Sequence, residues 1–132
     1  MKTFRKWNNK AVDDCGSYMS KEAHSFAVAF RNMVKRELTP HGFAISRFII
    51  GHYYLSMFVE KDGKYIYIYF SIPRHGQRID FNAKDCLNGV LYRSASSCND
   101  FHGGSNHFCS VYELSEVIKR FYKLESEWKQ VA

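Results

Sequence analysis

Apolar residues between positions 21 and 38 recur at three- and four-residue intervals. Ala23, Phe26, Ala27, Phe30, Met33, Val34 and Leu38 define one stripe, the pattern of a helix with a single buried face. Ser20 stands at the N-cap, Glu22 suits the positive end of the helix dipole, and Lys35 and Arg36 occupy the last turn. Thr39-Pro40 and Gly42 then stop the helix, predicting its extent as Lys21–Leu38.

The period changes to two in the next stretch. Phe43 to Ile50 reads as a strand closed by Gly51, and His52 to Lys61 and Lys64 to Ile72 read as two more, joined by Asp62-Gly63. A two-residue Asp-Gly loop suits a type I′ turn, in which both central residues need positive φ. That turn sets Glu60 opposite Tyr65, Phe58 opposite Tyr67, Ser56 opposite Tyr69 and Tyr54 opposite Ser71. Alternation then sorts the hairpin into two faces. Tyr53, Leu55, Met57, Val59, Ile66, Ile68, Phe70 and Ile72 form the core face. Tyr54, Phe58, Tyr65, Tyr67 and Tyr69, with Ser56, Ser71 and Glu60 between them, form the other.

Pro73 to Arg78 is a loop, Ile79 to Phe81 a candidate short strand, Val90 to Ala95 a fourth strand, and Asn99 to Asn106 a second loop around Gly103-Gly104. Ser110 and Glu113 have capping-box spacing, which starts the last helix at Val111. Its stripe is Val111, Leu114, Val117, Ile118 and Phe121, pointing toward Trp128. The expected fold is α+β: an N-terminal helix, an antiparallel sheet of three to four strands, and a C-terminal helix. Both helices lie on the apolar face of the sheet. No repeat or linker divides the chain, so one domain over 1–132 is expected. Its N-terminal arm, 1–19, is anchored by Phe4 and Trp7.

Composition sharpens this in two respects. The 132 residues are 45% hydrophobic, within the range of a folded domain, but the aromatic share of 17% is high. Each of the nine Tyr carries a hydroxyl that needs a partner or water. The formal net charge of +6 favours polyanionic partners and equally serves solubility. The basic N-terminus has no apolar segment behind it and no stretch reaches the length of a membrane span, so a cytoplasmic protein is expected. Cys15, Cys86, Cys98 and Cys109 are then expected as reduced thiols.

The aromatic hairpin face is the leading candidate for function. Its rings can stack on bases, at about 1–3 kcal/mol per stack, with Arg74, Arg78, Arg93 and Lys64 supplying phosphate contacts. The same rings serve equally as a protein–protein surface, or simply as cross-strand pairs that stabilise the hairpin. Cys98, His102, His107 and Cys109 form a C-x3-H-x4-H-x-C array whose residue types suit zinc, although its spacing matches no standard finger. No cofactor is expected. A metal-free nuclease would draw on His52, His75, His102, His107, Arg74, Arg78, Arg93, Asp80 and Asp100, whose spacing does not force convergence. No Walker, G-x-G-x-x-G, H-E-x-x-H or G-x-S-x-G motif is present.

Several strings fall in a suggestive order: Phe4-Arg5-Lys6-Trp7-Asn8-Asn9-Lys10, Gly51-His52-Tyr53-Tyr54, Lys61-Asp62-Gly63-Lys64, Leu91-Tyr92-Arg93-Ser94-Ala95, and Asp100 through Gly104-Ser105-Asn106. Together they resemble a group of small accessory proteins carried by phages and integrative elements of Gram-positive bacteria. The resemblance implies a mobile-element setting in which such proteins block host defence, anti-CRISPR proteins among them. It also implies that the Gly-Gly-x-Asn core matters more than the surrounding Cys and His, against the zinc reading. It supplies no catalytic motif. The resulting expectation is a non-enzymatic binding protein acting on a host protein or ribonucleoprotein, such as a CRISPR effector. A direct RNA- or DNA-binding module is the alternative, and a small nuclease the second alternative.

Overall fold

The structure, a computed structural model, describes residues 3–11, 21–73 and 77–124. Helix α1 spans Lys21–Leu38, as the apolar stripe predicts, and Ser20 at its expected N-cap lies outside the described residues. A 3-10 turn, Thr39–His41, follows it, and Gly42 at φ +89° takes the left-handed position that ends the segment. Five strands come next: β1 Ala44–Gly51, β2 Tyr54–Lys61, β3 Lys64–Ser71, β4 Val90–Ala95 and β5 His107–Cys109. Helix α2, Leu114–Tyr122, closes the order. The sheet order is β1-β2-β3-β4-β5 with every neighbouring pair antiparallel, so the fold is α+β with a meander for a sheet.

The hairpin that sets the register forms as the Asp-Gly pair requires. Asp62 and Gly63 have φ of 50° and 78°, and Glu60–Tyr65, Phe58–Tyr67, Ser56–Tyr69 and Tyr54–Ser71 are all cross-strand partners. From that register the core face follows. Leu55, Met57, Val59, Ile66, Ile68 and Phe70 pack in one cluster with Phe26, Phe30, Met33 and Val34 of α1 and Leu114, Ile118 and Phe121 of α2. Both helices therefore cover the same side of the sheet. Rings account for much of this core: Phe30 stacks on Phe70 at 5.4 Å, and Phe26 lies 5.6 Å from Phe70.

The N-terminal arm joins that core. Phe4 and Trp7 are buried on a 3-10 turn, Phe4–Trp7, with Phe4 stacked on Phe26 at 5.8 Å and on Phe81 at 4.9 Å. This corrects the expected strand at Ile79–Phe81. Backbone hydrogen bonds from that segment go to the arm, through Asn9 N to the Ile79 carbonyl, Ile79 N to the Lys10 carbonyl and Phe81 N to Asn8 Oδ1. Among the described residues, one isolated bridge, Ala11 to Arg78, is the ladder that results.

Three further expectations change. His52 and Tyr53 form the β1–β2 turn rather than the start of β2, and half-buried Tyr53, at φ 63°, leaves the core face. The sheet gains a fifth strand beyond the three to four expected, β5, which pairs with β4. The capping box closes as predicted, with Ser110 N donating to Glu113 Oε1 at 3.0 Å and Glu113 N donating to Ser110 Oγ at 3.2 Å. It closes a tight turn ahead of the helix, however, so α2 begins at Leu114 rather than Val111. The stripe of Val111, Leu114, Val117, Ile118 and Phe121 is buried throughout, and Trp128 lies outside the described residues.

Replacing Gly63 tests the turn cleanly, because no atom lies within 4 Å of an added Cβ and the cost is conformational alone. Gly63→Ala is expected to destabilise the protein by about 1 kcal/mol in urea unfolding without changing the m-value.

Candidate binding face of the sheet

The face turned away from the helices is built in rows by the strand register. One row runs Arg47–Phe58–Tyr67–Arg93 across β1 to β4. The next runs Ile49–Ser56–Tyr69–Leu91–Phe108 across all five strands. Tyr54 lies beyond it between Gly51 and Ser71, and Tyr65 lies toward the hairpin tip between Glu60 and Ala95.

The predicted aromatic set therefore shares one face, but it is not equally open. The loop after β4 folds back over the first row and seats Phe101 edge-on against Phe58 at 5.2 Å and Tyr67 at 5.7 Å. Phe58, Tyr67 and Ala95 become a second small core, with Cys98 packed beside them. Two glycines permit this approach. A Cβ on Gly103 would sit 2.2 Å from the Ser94 carbonyl oxygen, and one on Gly104 would sit 2.2 Å from Ser94 Oγ. Gly104 N donates to the Ser94 carbonyl at 2.8 Å. Asp100 holds the loop's entry, its carboxylate accepting from Ser96 N at 2.8 Å, Ser96 Oγ at 3.0 Å and His102 N at 3.2 Å. The Ser96 amide, more than any other group, holds the Asp100 carboxyl below its usual pKa.

Arginine closes the cap from both flanks. Arg93 lies over the Tyr67 ring at 4.7 Å and donates to Asn106 Oδ1 at 2.8 Å and to the Phe101 carbonyl. Arg47 lies over the Phe101 ring at 5.4 Å and donates to Asn99 Oδ1. Burial raises the pKa of Tyr67, opposed in part by a hydrogen bond with Ser56 and by the Arg93 charge. Tyr65 is raised chiefly by its hydrogen bond with Glu60, whose carboxylate accepts from the phenol.

The second row, apart from buried Ser56, is left partly open. Tyr54 and Tyr69 stack at 5.2 Å with 20° between their planes, and with Ile49, Leu91 and Phe108 they remain half-buried, covered by no helix among the described residues. Tyr54 also lies flat across Gly51, where a Cβ would fall 1.9 Å from its ring. The strip is apolar with two phenol groups.

The other sequence candidates fall elsewhere. Arg74 and His75 lie outside the described residues, as does Cys15. Arg78 donates to the Asn9 carbonyl at 2.7 Å on the arm, away from the rings, and Lys64 Nζ lies 4.8 Å over the Tyr122 ring. The Cys/His array is divided by the sheet. His107 stacks on Tyr92 at 5.3 Å and meets Phe121 of α2 at 5.1 Å, and Cys109 is buried in the helix-side core. Cys98 packs on the opposite face, and His102 is exposed in the loop. Among the described residues, no three or more His, Cys, Asp or Glu side chains gather where they could hold a metal. The nuclease set is likewise dispersed: His52 in the β1–β2 turn, His107 on the helix side, Arg78 on the arm, Arg93 and Asp100 in the cap.

No protein-family model, no curated protein and no solved structure matches this chain. Among the described residues, no helix is long and apolar enough to cross a membrane.

Sequence reasoning missed Phe101, Arg47, Ile49, Leu91 and Phe108. Phe101 had a local signal, a lone large apolar residue beside Gly-Gly in a polar loop. Arg47 and Ile49 had none, because β1 carries an irregularity between Ile45 and Arg47 that reverses the alternation.

Two outcomes follow from this arrangement. Phe101→Ala is expected to cost about 2 kcal/mol, less than for a fully buried ring, and to lower the Tyr67 pKa toward 10.0 in a spectrophotometric titration. Because the folded-state value is raised, Tyr67 favours folding below pH 10.0 and loses that contribution as pH climbs through the raised value. In native protein, a thiol reagent at pH 8 is expected to modify exposed Cys86 and spare Cys109, whose thiol is pushed up to about 12 chiefly by burial.

Proposed function

We propose that this is a non-enzymatic binding protein that seats the protein surface of a nucleoprotein partner on the strip Ile49, Tyr54, Tyr69, Leu91 and Phe108. The observation that carries the reading is the division of the sheet's outer face into a capped half and an open half. An aromatic face that only stabilised the hairpin would need no residue of the second row to stay accessible. The open half combines tyrosines with aliphatic and phenyl surface, the composition of interface centres.

The chemistry of the strip favours protein over bare nucleic acid as its occupant. Base-stacking platforms are flanked by cations that reach phosphates. Here Arg93 and Arg47 are committed to the cap, and Arg78 to the arm. The resemblance to accessory proteins of mobile elements suggests the class of partner, a host nucleoprotein such as a CRISPR effector, which this protein would occupy and block. No reaction is part of this reading.

The test is affinity capture from bacterial lysate, with and without nuclease, read by mass spectrometry. Wild-type protein is expected to retain a protein partner after nuclease treatment. Tyr54→Ala/Tyr69→Ala is expected to lose at least about tenfold of that capture, as removal of interface anchors does. The lost stack should cost the fold only about 0.2–1 kcal/mol. Undiminished capture by this variant would move the interface elsewhere, and capture abolished by nuclease alone would replace the protein partner with a nucleic acid.

A further inference from the structure

Three contiguous grooves run along the outer side of α1. One lies against the N-terminal 3-10 turn and holds Lys6, Asn32 and Arg36 in its wall. A second lies at the helix end and holds Asn32, Lys35 and Arg36. A third lies between α1 and the free edge of β1 and holds Arg31, Lys35 and Arg47. Their volumes are about 290, 480 and 600 Å3. Neighbouring grooves share wall residues, Asn32 and Arg36 between the first two and Lys35 and Thr39 between the last two. The three therefore follow one another along the helix as a basic channel, and among the described residues no carboxylate lines any of them.

Helical spacing puts Arg31 and Lys35 on one line and Asn32 and Arg36 on the next, each pair about 6 Å apart along the axis. Like charges at that spacing, as in Arg31 and Lys35, repel, and among the described residues no carboxylate neutralises the cations here. Arg31 donates to Asn32 Oδ1, at 3.3 and 3.4 Å, and lies over the Phe48 ring at 5.0 Å. Arg36 donates to Thr3 Oγ1 at 3.1 Å, and Lys6 lies 5.8 Å over Trp7. Among the described residues, no ion pair joins any of these cations to a carboxylate. The dipole at the end of α1 accounts for Lys35 and Arg36. It does not account for Lys6 or Arg31, which come from other positions to the same channel; Arg47 only borders it, its guanidinium being held in the cap by Asn99 and Phe101.

We infer that this channel is a nucleic-acid site that follows the phosphate backbone without reading sequence. A polyanion with regularly spaced charges is the ligand that such a row of cations along successive grooves fits, and partly stacked guanidinium groups such as Arg31 are ready phosphate partners. The surface is distinct from the tyrosine strip and does not require the strip to bind anything.

Fluorescence anisotropy with labelled duplex DNA and single-stranded RNA of mixed sequence, at several salt concentrations, tests the assignment. The wild type is expected to bind both, with affinity falling steeply as salt rises. Arg31→Gln/Lys35→Gln/Arg36→Gln keeps good helix formers and is expected to bind at least about tenfold more weakly at low salt. Its salt slope should fall by about 3 on duplex and about 2 on single strands. A control of equal charge loss, Lys84→Gln/Arg120→Gln/Lys123→Gln, should leave the slope nearly unchanged. Equal weakening by both triple variants, or no binding at low salt, would overturn the site. So would binding of polyglutamate as tight as that of nucleic acid, which would assign the channel to an acidic protein. Circular dichroism and thermal midpoints of the variants separate lost binding from lost folding.

Discussion

Two backbone torsions at the tip of one hairpin govern the architecture. With Asp62 and Gly63 both at positive φ, β2 and β3 can pair in only one register. A slip by one residue would send Leu55, Met57 and Val59 to the outer face and bring Tyr54, Phe58 and Glu60 under the helices. The twofold alternation of this central pair propagates to β1 and β4 through their own ladders. The helix-side core, the capped aromatic cluster and the open strip are thus three readings of a single register.

The two sides of the sheet solve different problems. The helix side is dry and packed by long apolar chains and phenyl rings, with the N-terminal arm contributing two of its members. On the outer side a loop does the work of a helix. Gly103 and Gly104 let backbone touch β4, Asp100 gathers donors at the loop entry, and Phe101 fills the space over Phe58 and Tyr67. Arginines that would otherwise advertise a phosphate site are consumed in fixing that loop. Cations gather instead along α1, in grooves whose described walls hold no carboxylate.

Much of this architecture was legible in the chain. Strong periodicity over many residues located α1, and one Asp-Gly pair fixed the partners of β2 and β3. The stripe and capping box of α2 were visible for the same reason, although a cap marks a tight turn as readily as a helix start. What escaped notice depended on contacts distant in sequence. Ile79 and Phe81 have strand composition, but their backbone groups are claimed by an arm some seventy residues earlier. His107 to Cys109 is too short for a period to register and becomes a strand only because β4 offers an edge. The zinc array is divided because His107 and Cys109, two residues apart on β5, both face the helices, whereas the loop after β4 leaves Cys98 on the opposite face, which linear spacing does not reveal.

The extra residue in β1 reaches beyond packing. Edge strands of open sheets offer a template on which a second chain can extend the ladder, the usual beginning of ordered aggregation. β1 is long and carries Phe48, Ile49 and Ile50 in succession, so a flat version of it would be hazardous. The bulge around Ser46, whose hydroxyl donates back to the Phe58 carbonyl at 3.4 Å, kinks the strand, and exposed Arg47 follows at once. One inserted residue thus sets a kink and a charge on the edge where a second copy would have to pair, the devices by which exposed strands discourage such pairing.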